Sequence, residues 1–380
     1  MQTEDRGKKH RKKRRRRRTG KGGRILFRAG IAALILAGVL ILAAGTLTAG
    51  YFWMEARGRE SFEEKQEALP LEMEEAAVSE NDAGTVLGDG MLRYNGKIYS
   101  YKKNCLTFLC MGIDKKGEME ASEDLLKGGQ ADAVFLAVLD PDEKKISVIG
   151  INRDTMTDIS VYDENGLYIG TQTAQIALQH GYGDGMEISC ERMMEAVSHL
   201  FYGIPIHGYC SLNMEVITLI NDAVGGVTVT VPEDLEVRGT LKWEKGQQVH
   251  LTGEDAYTFV QYRDTRLAQS AEGRLARQKQ YLQAFITQAR AAMREDMTLP
   301  LTLYEMVSPY MVTDISAEEA VYLATQALSY RFDAGDIHTL EGEVVMGEKF
   351  EEFYQDDTAL YELILQVFYE ESEDKTGTDQ

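Results

Sequence analysis

Charged side chains stand where three apolar, strand-like runs of the sequence begin or end. Asp114 follows the run at 106–113, Asp132 opens the run at 133–139, and Arg153-Asp154 follow the run at 146–151. Since the ends of neighbouring strands meet at one edge of a sheet, we expect these side chains to lie together. Paired carboxylates suit a hard cation such as Mg²⁺, which binds through one or two carboxylates plus phosphate oxygens. The spacing therefore predicts a magnesium site formed by Asp114 and Asp132.

Further cations follow much later in the chain, at Arg263 and in the run Gly273-Arg-Leu-Ala-Arg-Gln278. Arg274, Arg277 and Gln278 share one side of a helix by their i, i+3 and i+4 spacing. Guanidinium groups bind phosphate bidentately, and the first turn of a helix adds free N–H groups. These residues are candidates for phosphate binding, but spacing alone favours the simpler interpretation that the arginines are surface charges of an acidic protein.

Common catalytic motifs are missing from the sequence. It has no H-E-x-x-H, G-x-S-x-G, Walker loop or C-x-x-C, which argues against the commonest hydrolase, nucleotide-binding, zinc-ribbon and thiol-redox classes. The four cysteines are Cys105, Cys110, Cys190 and Cys210. Cys110 lies in a buried-strand pattern and is expected to be a small core residue.

The charge of the chain changes sign along its length. Residues 1–28 hold 14 Lys and Arg against 2 Asp and Glu, a charge of +12. The remaining residues carry a charge of −32, so the net charge of the chain is −20. Such an acidic body repels nucleic acid, so we expect no nucleic-acid partner for it. The basic run at 8–18 could bind nucleic acid, but beside an apolar stretch it is better explained as a topology signal that also binds anionic lipids.

An uncharged apolar stretch, 29–54, separates the two parts and ends in Tyr51-Phe-Trp53. Its length matches a transmembrane helix with aromatic residues at the headgroup layer. A cleaved signal peptide is the alternative, but its apolar region is shorter, about 7–15 residues. We therefore expect a cell-membrane protein with one span, a cytoplasmic basic tail at 1–28 and an extracytoplasmic C-terminal part.

The extracytoplasmic part is predicted to be one α/β domain at 91–372, preceded by an acidic linker at 55–90 and followed by a polar tail at 373–380. Hairpins are expected at the Asn-Gly turn of 93–101 and at 140–145. Helical spacing is found in five segments: 187–202, 212–223, 272–293, 316–330 and 357–371.

Several motifs, taken in order, resemble those of the LytR-CpsA-Psr family of bacterial cell-wall proteins. They are Met111-Gly-Ile-Asp114, Ala131-Asp132-Ala, Ile151-Asn-Arg-Asp-Thr-Met156, Asp222-Ala-Val-Gly-Gly-Val-Thr-Val229, Leu251-Thr-Gly-Glu-Asp-Ala256 and Gly273-Arg-Leu-Ala-Arg-Gln278. The resemblance covers about 105–290 and implies a single-span protein with an outer α/β/α domain around a central mixed sheet. It also implies an enzyme that transfers a glycan phosphate from a polyprenyl pyrophosphate to peptidoglycan, attaching teichoic acid, capsule or a similar anionic glycopolymer.

By resemblance, Asp114 and Asp132 bind Mg²⁺, Arg153 is catalytic, and Arg153, Arg263, Arg274 and Gln278 bind the pyrophosphate. Arg277 is added to the pyrophosphate-binding residues because of its helical spacing, and Asp154 is a candidate catalytic residue because it adjoins Arg153. Three positions depart from the family pattern, because Gln130 and Gln261 stand where arginines are usual and Ala271 replaces an acidic residue. Two fewer cations should weaken pyrophosphate binding unless Arg266 or Arg277 compensates.

Two other functions are compatible with these departures. A non-catalytic sensor would bind lipid-linked cell-wall precursors and report through the basic tail. A polyprenyl-pyrophosphate phosphatase would use water as the acceptor.

Overall fold

The computed structural model of the chain describes residues 50–63, 65, 69–70, 85–88, 90–115, 117–214, 216–262 and 270–372. The chain divides into two compact units, Met1–Trp53 and Met54–Gln380. In the first unit the structure describes residues 50–53, which are helical. No helix within the described ranges is long and apolar enough to cross a membrane. The predicted tails, 1–28 and 373–380, and most of the predicted span lie outside the described residues.

The second unit alternates strands and helices. The strands are β1 (Thr85–Gly88), β2 (Met91–Tyr94), β3 (Lys97–Tyr101), β4 (Leu106–Ile113), β5 (Ala131–Asp140), β6 (Lys145–Ile151), β7 (Met156–Tyr162), β8 (Tyr168–Gln175), β9 (Gly208–Asn213), β10 (Val227–Thr230), β11 (Leu235–Val237), β12 (Thr240–Trp243), β13 (Gln248–Leu251), β14 (Met311–Thr313), β15 (Ile337–Thr339), β16 (Gly342–Met346), β17 (Glu351–Gln355) and β18 (Tyr369–Ser372). The helices are α1 (54–63), α2 (Glu187–Leu200), α3 (Val216–Ala223), α4 (Glu254–Gln261), α5 (Ser270–Glu295), α6 (Leu299–Val307), α7 (Ala317–Ser329) and α8 (Asp357–Phe368).

A mixed sheet lies at the centre, with the order β14-β9-β4-β5-β6-β15 among the described strands. The neighbours β4, β5 and β6 are antiparallel, whereas β9 runs parallel to β4 and β15 runs parallel to β6. The prediction of an α/β domain with a central mixed sheet is confirmed. Short two-stranded ribbons flank the sheet, including β7-β8, β10-β13 and β16-β17.

Each face of the central sheet packs against helices, so the domain has three layers. On one face, Leu109, Leu136 and Ile149 are buried together with residues of α2 and α8 such as Met193 and Ile364. On the other face there are two smaller apolar clusters, one reaching α4 and α5 and one reaching α1 and α7. Each large aliphatic side chain that is fully buried contributes roughly 1.5–3 kcal/mol to folding.

Local turn chemistry sets two hairpins as predicted. Asn95 and Gly96 both have positive φ, 49° and 74°, as a tight turn between antiparallel strands requires. At the second hairpin Asp140 pairs with Lys145, and the Asp140 carboxylate accepts hydrogen bonds from the N–H groups of the turn residues Asp142 and Glu143.

Two helix predictions differ from the structure in their bounds. The segment 212–223 begins in strand β9, whose residues Leu212 and Asn213 pair with β4, and helix α3 starts only at Val216. The segment 357–371 ends as strand β18, because Tyr369 pairs with Tyr101 of β3. In both cases pairing with a distant strand overrides helical spacing.

The predicted linker 55–90 contains ordered contacts with the domain at its two ends. Phe62 of α1 is 1 % exposed and packs edge-on against Phe108 of β4, with ring centroids 5.4 Å apart. Residues Thr85–Gly88 form β1, which pairs with β2. The low apolar content of this stretch concealed both contacts.

Candidate functional site

Asp114 and Asp132 lie at the same edge of the central sheet, because β4 ends beside the start of its antiparallel neighbour β5. Gly112 of β4 pairs with Ala133 of β5, and the next residue, Ile113, pairs with Ala131. Asp132 has no partner in this pairing and is the additional residue of a β-bulge. A bulge re-aims the side chain it carries. Asp114, the next residue after β4, is exposed, and the Asp132 side chain is 13 % exposed.

Arg153 extends from a tight turn directly after β6. The Asp154 N–H donates to Oδ1 of Asn152 over 3.0 Å, and the Thr155 hydroxyl donates to the Asn152 carbonyl over 2.6 Å. These bonds fix the turn and set the direction of the Arg153 side chain. Its guanidinium contacts Asp132 through Nη1 and donates from Nη2 to the Gln130 side-chain oxygen.

Asp154 forms an ion pair with Arg153. It is 6 % exposed, and its Oδ1 lies 3.5 Å from Nε of Arg153 and accepts a hydrogen bond of 3.1 Å from Gln175. Gln175 also donates to the Glu351 carbonyl, and the Phe353 N–H donates to the Asp154 carbonyl. The structure therefore brings Asp132, Arg153 and Asp154 together, and two hairpins hold the last of them.

The predicted phosphate-binding residues of α5 are buried. Arg274, Arg277 and Gln278 are 6 %, 3 % and 8 % exposed, so the interpretation of these arginines as surface charges is wrong. A Cβ on Gly150 would lie 3.2 Å from the Leu275 side chain. The first turns of α5 therefore pack against the last residues of β6. Arg263 and Arg266 lie outside the described residues.

Arg277 is bound by protein groups. Nε donates to the Phe259 carbonyl over 3.0 Å, Nη1 contacts Glu233, and Nη2 donates to the Tyr262 carbonyl. Gln278 donates to the Val260 carbonyl over 3.3 Å. Burial lowers the pKa of Arg277 from its ordinary value, but a guanidinium stays protonated in proteins.

A buried histidine holds the loop that leads into β5. His180 is fully buried, and its Nδ1 lies 3.0 Å from the Gly129 carbonyl, so Nδ1 must carry the proton and donate. Burial lowers the pKa of His180 to about 4 and keeps the ring neutral. The Gly128 N–H donates to the Gly181 carbonyl beside it. His180 thereby fixes the position of the chain just before Gln130.

The face of the sheet that the two smaller clusters cover is incompletely buried. On this face, alternate residues of β4, β5 and β9 stay partly exposed, whereas the residues between them point to the other face and are buried. The partly exposed residues are Cys110, Gly112, Phe135, Ala137, Cys210 and Leu212. The opposing residues 282–286 of α5 are also partly exposed. Among the described residues, the helix layer therefore leaves these strands partly accessible, from which we infer an apolar cleft between the sheet and α5. Cys110 is partly exposed on this face, whereas the sequence predicts a core position for it.

Asp114 and Asp132 have the donor chemistry for Mg²⁺. Within the part of the chain that the structure describes, no group of three or more His, Cys, Asp or Glu side chains could hold a metal by themselves. Magnesium at phosphate sites uses one or two carboxylates and takes its other ligands from phosphate and water. The guanidinium of Arg153 already lies against Asp132, so this carboxylate accommodates a cation, and the pair fits.

Sequence reasoning missed three supporting residues: Gln175, His180 and Glu233. Each contacts the site from an element distant in sequence, and no local motif marks it. Asn152 did carry a signal, because an Asn directly after a strand is typical of a side-chain-to-backbone turn.

Fold and site together define a three-layer α/β/α protein in which paired carboxylates and a held arginine adjoin an apolar cleft. The chain belongs to the LytR_cpsA_psr family, whose sequence model matches residues 63–365.

Curated relatives of the chain carry the name polyisoprenyl-teichoic acid–peptidoglycan teichoic acid transferase TagU. The protein of this name from Bacillus cereus is 30 % identical over 188 residues, which are 49 % of this chain and 53 % of the relative. That from Halalkalibacterium halodurans is 27 % identical over 237 residues, 62 % of this chain and 68 % of the relative. The match to the first of these thus spans about half of the relative's length.

Solved structures share the fold. B. subtilis TagV aligns with a TM-score of 0.53 at 24 % identity, covering 69 % of this chain and 95 % of that one. A protein from Streptococcus agalactiae aligns with a TM-score of 0.56 at 21 % identity, covering 69 % of this chain and 86 % of that one. These likenesses confirm the α/β/α architecture.

Proposed function

We propose that this protein transfers the phosphate-linked glycan of a polyprenyl-pyrophosphate donor to peptidoglycan. Family membership and the name of the curated relatives support this function, and a teichoic-acid-type polymer is the donor class that the name indicates.

One observation carries the proposal: the strands whose ends bear Asp114 and Asp132 also carry the partly exposed apolar residues from which the cleft is inferred. A polyprenyl pyrophosphate has a highly charged head joined to a long apolar tail. Burial of the tail is favourable at roughly 25 cal/mol per Å² of apolar surface, while the head requires cations. A charged edge that adjoins an apolar cleft suits such an amphiphile.

In the proposed mechanism Arg153 binds the pyrophosphate, and Asp154 orients it. A bidentate guanidinium–phosphate contact depends on a fixed direction of the fork, which Asp154 and the Asn152 turn provide. Arg274 binds the same group from α5, and the family resemblance also assigns Arg263 and Gln278 to it.

Asp114 and Asp132 would hold Mg²⁺ in this site. When bound, the ion supplies neutralisation of phosphate charge and stabilisation of a leaving phosphate. The protein's own residues bind and orient: Asp132 balances Arg153, and His180 fixes the loop from which Gln130 reaches Arg153.

The reaction breaks the phosphoanhydride bond of the pyrophosphate and forms a phosphoester bond to the acceptor sugar. A sugar hydroxyl of peptidoglycan forms a bond to the glycan-linked phosphorus, and the bond from that phosphorus to the bridging oxygen breaks. Polyprenyl phosphate leaves with the bonding electrons, and the hydroxyl proton is released to solvent. Positioning and charge neutralisation carry most of the catalysis in phosphoryl transfer.

The test uses full-length protein in liposomes with a polyprenyl-pyrophosphate glycan, with and without peptidoglycan fragments. Glycan joined to the fragments, with loss of transfer in Arg153→Met, is the expected result. Arg331→Met is the matched control, because the Arg331 side chain is 60 % exposed. Release of glycan phosphate to water alone would establish a phosphatase, and binding without turnover would establish a sensor.

We also propose that the protein is anchored in the cell membrane by the span at 29–54, with the domain outside and the basic tail on anionic lipids inside. The charge change from +12 to −32 supports this orientation. Protease added to intact protoplasts should remove the domain. Survival of the domain with loss of the tail would show the opposite orientation.

A further inference from the structure

The junction between α4 and α5 is held by side chains of α5. The last carbonyls of a helix have no partner within the helix. At the end of α4, Arg277 donates hydrogen bonds to the carbonyls of Phe259 and Tyr262, and Gln278 donates to the carbonyl of Val260. A cation at this end also interacts favourably with the helix dipole.

A third element joins the junction through Glu233, in the loop between β10 and β11. Its carboxylate contacts Nη1 of Arg277 and also lies against Gly273 in the first turn of α5. A Cβ on Gly273 would come within 2.9 Å of Oε1 of Glu233. A side chain at position 273 would therefore displace the carboxylate of Glu233 from its present place beside Arg277.

Every nitrogen of the Arg277 guanidinium is thus engaged by a protein acceptor, and the side chain is 4 % exposed. This differs from the role in pyrophosphate binding that the sequence predicts for Arg277. Arg274, three residues earlier on the same side of α5, depends on the position of this turn.

We propose that Arg277 is a positioning residue, and that Arg277 and Glu233 fix the first turns of α5 so that Arg274 meets the donor pyrophosphate. We call Arg277, Glu233 and Gly273 the clasp. The inference rests on the proposed function for the identity of the ligand.

Glu233→Gln separates the two roles of Arg277 by the sign of its effect. If Arg277 itself bound phosphate, removing a competing carboxylate would strengthen binding. If the clasp positions α5, the same variant should weaken binding at least about tenfold, the scale of one lost charge-assisted hydrogen bond. The assay is calorimetry of full-length protein in nanodiscs with polyprenyl pyrophosphate at fixed Mg²⁺. Tighter binding by Glu233→Gln would overturn the proposal.

Two further variants test the geometry. Gly273→Ala displaces Glu233 while improving helix propensity, so weaker pyrophosphate binding without loss of stability is expected. Arg277→Lys keeps the charge but loses the planar fork, and should raise KM for the donor more than it lowers kcat. If binding is unchanged in both variants, the clasp has no positioning role.

Arg290→Lys is the matched control. Arg290 lies on the same helix and donates from Nη2 to the carbonyl of Tyr330, the C-cap of α7, over 2.8 Å. It makes the same kind of contact far from the site, so its variant should lose stability without a change in pyrophosphate affinity. An equal loss of affinity would show that general destabilisation explains the effect.

Hydrogen exchange without ligand distinguishes the clasp from the proposed function. Amides of 254–262 and 270–280 should exchange faster in Glu233→Gln and Arg277→Lys than in the natural protein. Unchanged exchange would overturn the clasp alone. A natural protein that binds no polyprenyl pyrophosphate would instead overturn the proposed function, and with it the assigned ligand.

Discussion

Protonation of His180 should destabilise the domain in mild acid. Burial lowers the pKa of this ring to about 4, against an ordinary value of about 6.5. The unfolded chain therefore binds a proton as pH falls through this window, while the folded protein does not. Stability is complete above the ordinary pKa and is lost as pH falls from about 6.5 to 4. The loss of stability due to His180 amounts to about 2 kcal/mol at pH 5.

The measurement is urea unfolding of full-length protein in detergent at pH 7.5, 6 and 5, for the natural protein and His180→Asn. Asn keeps a donor for the Gly129 carbonyl but does not titrate, so the variant should lose about 2 kcal/mol less between pH 7.5 and 5. His207, whose pKa burial also lowers to about 4, contributes equally to both proteins. Exposed His250 provides the control, and His250→Asn should follow the natural protein. Parallel pH profiles for the natural protein and His180→Asn would refute the reasoning.

Three further predictions concern the site. Asp132→Asn should leave the fold intact by circular dichroism. It should raise the Mg²⁺ concentration needed for half-maximal activity at least about tenfold, as the loss of a metal ligand or of its support does. An unchanged dependence of activity on Mg²⁺ would show that Asp132 is not part of the site. Ala137→Phe should narrow the cleft and weaken binding of long-chain polyprenyl pyrophosphate without affecting inorganic pyrophosphate; equal effects on both would place the tail elsewhere. Gln130→Arg should raise pyrophosphate affinity at least about tenfold, because it adds a charge-assisted contact; unchanged or poorer binding by calorimetry would favour a less charged donor.

Strands and hairpins were predictable because their signals are local. β4 runs over the residues that the apolar pattern predicted, and the turn at Asn95-Gly96 has the conformation its residue types require. The same local logic placed Asp114 and Asp132 at one edge, since β4 and β5 are adjacent antiparallel strands. The bulge that re-aims Asp132 was not predictable, because it is a property of the pairing between strands.

Long-range contacts account for what the sequence did not reveal. The surface interpretation of Arg277 failed because its partner Glu233 is 44 positions away in an exposed loop. The boundary at Leu212 failed for the same reason, since parallel pairing with β4 decides it. Spacing placed Arg274, Arg277 and Gln278 on one side of α5 but contained no information about what that side contacts.

The charges around Arg153 explain why the placement of α5 matters. Arg153 faces two carboxylates, Asp132 and Asp154, and the neutral side chain of Gln130. One cation and two anions give this cluster a net negative charge. Because Arg153 is already paired with carboxylates, it attracts an additional anion such as a phosphate only weakly. A pyrophosphate head must therefore obtain positive charge from outside the cluster. The described arginine that the family resemblance assigns to this task is Arg274, and the junction that fixes its helix turn is made by Arg277, Glu233 and Gly273. Because Gln130 is neutral where the family resemblance leads us to expect an arginine, we expect binding of the proposed donor to depend more strongly on the clasp.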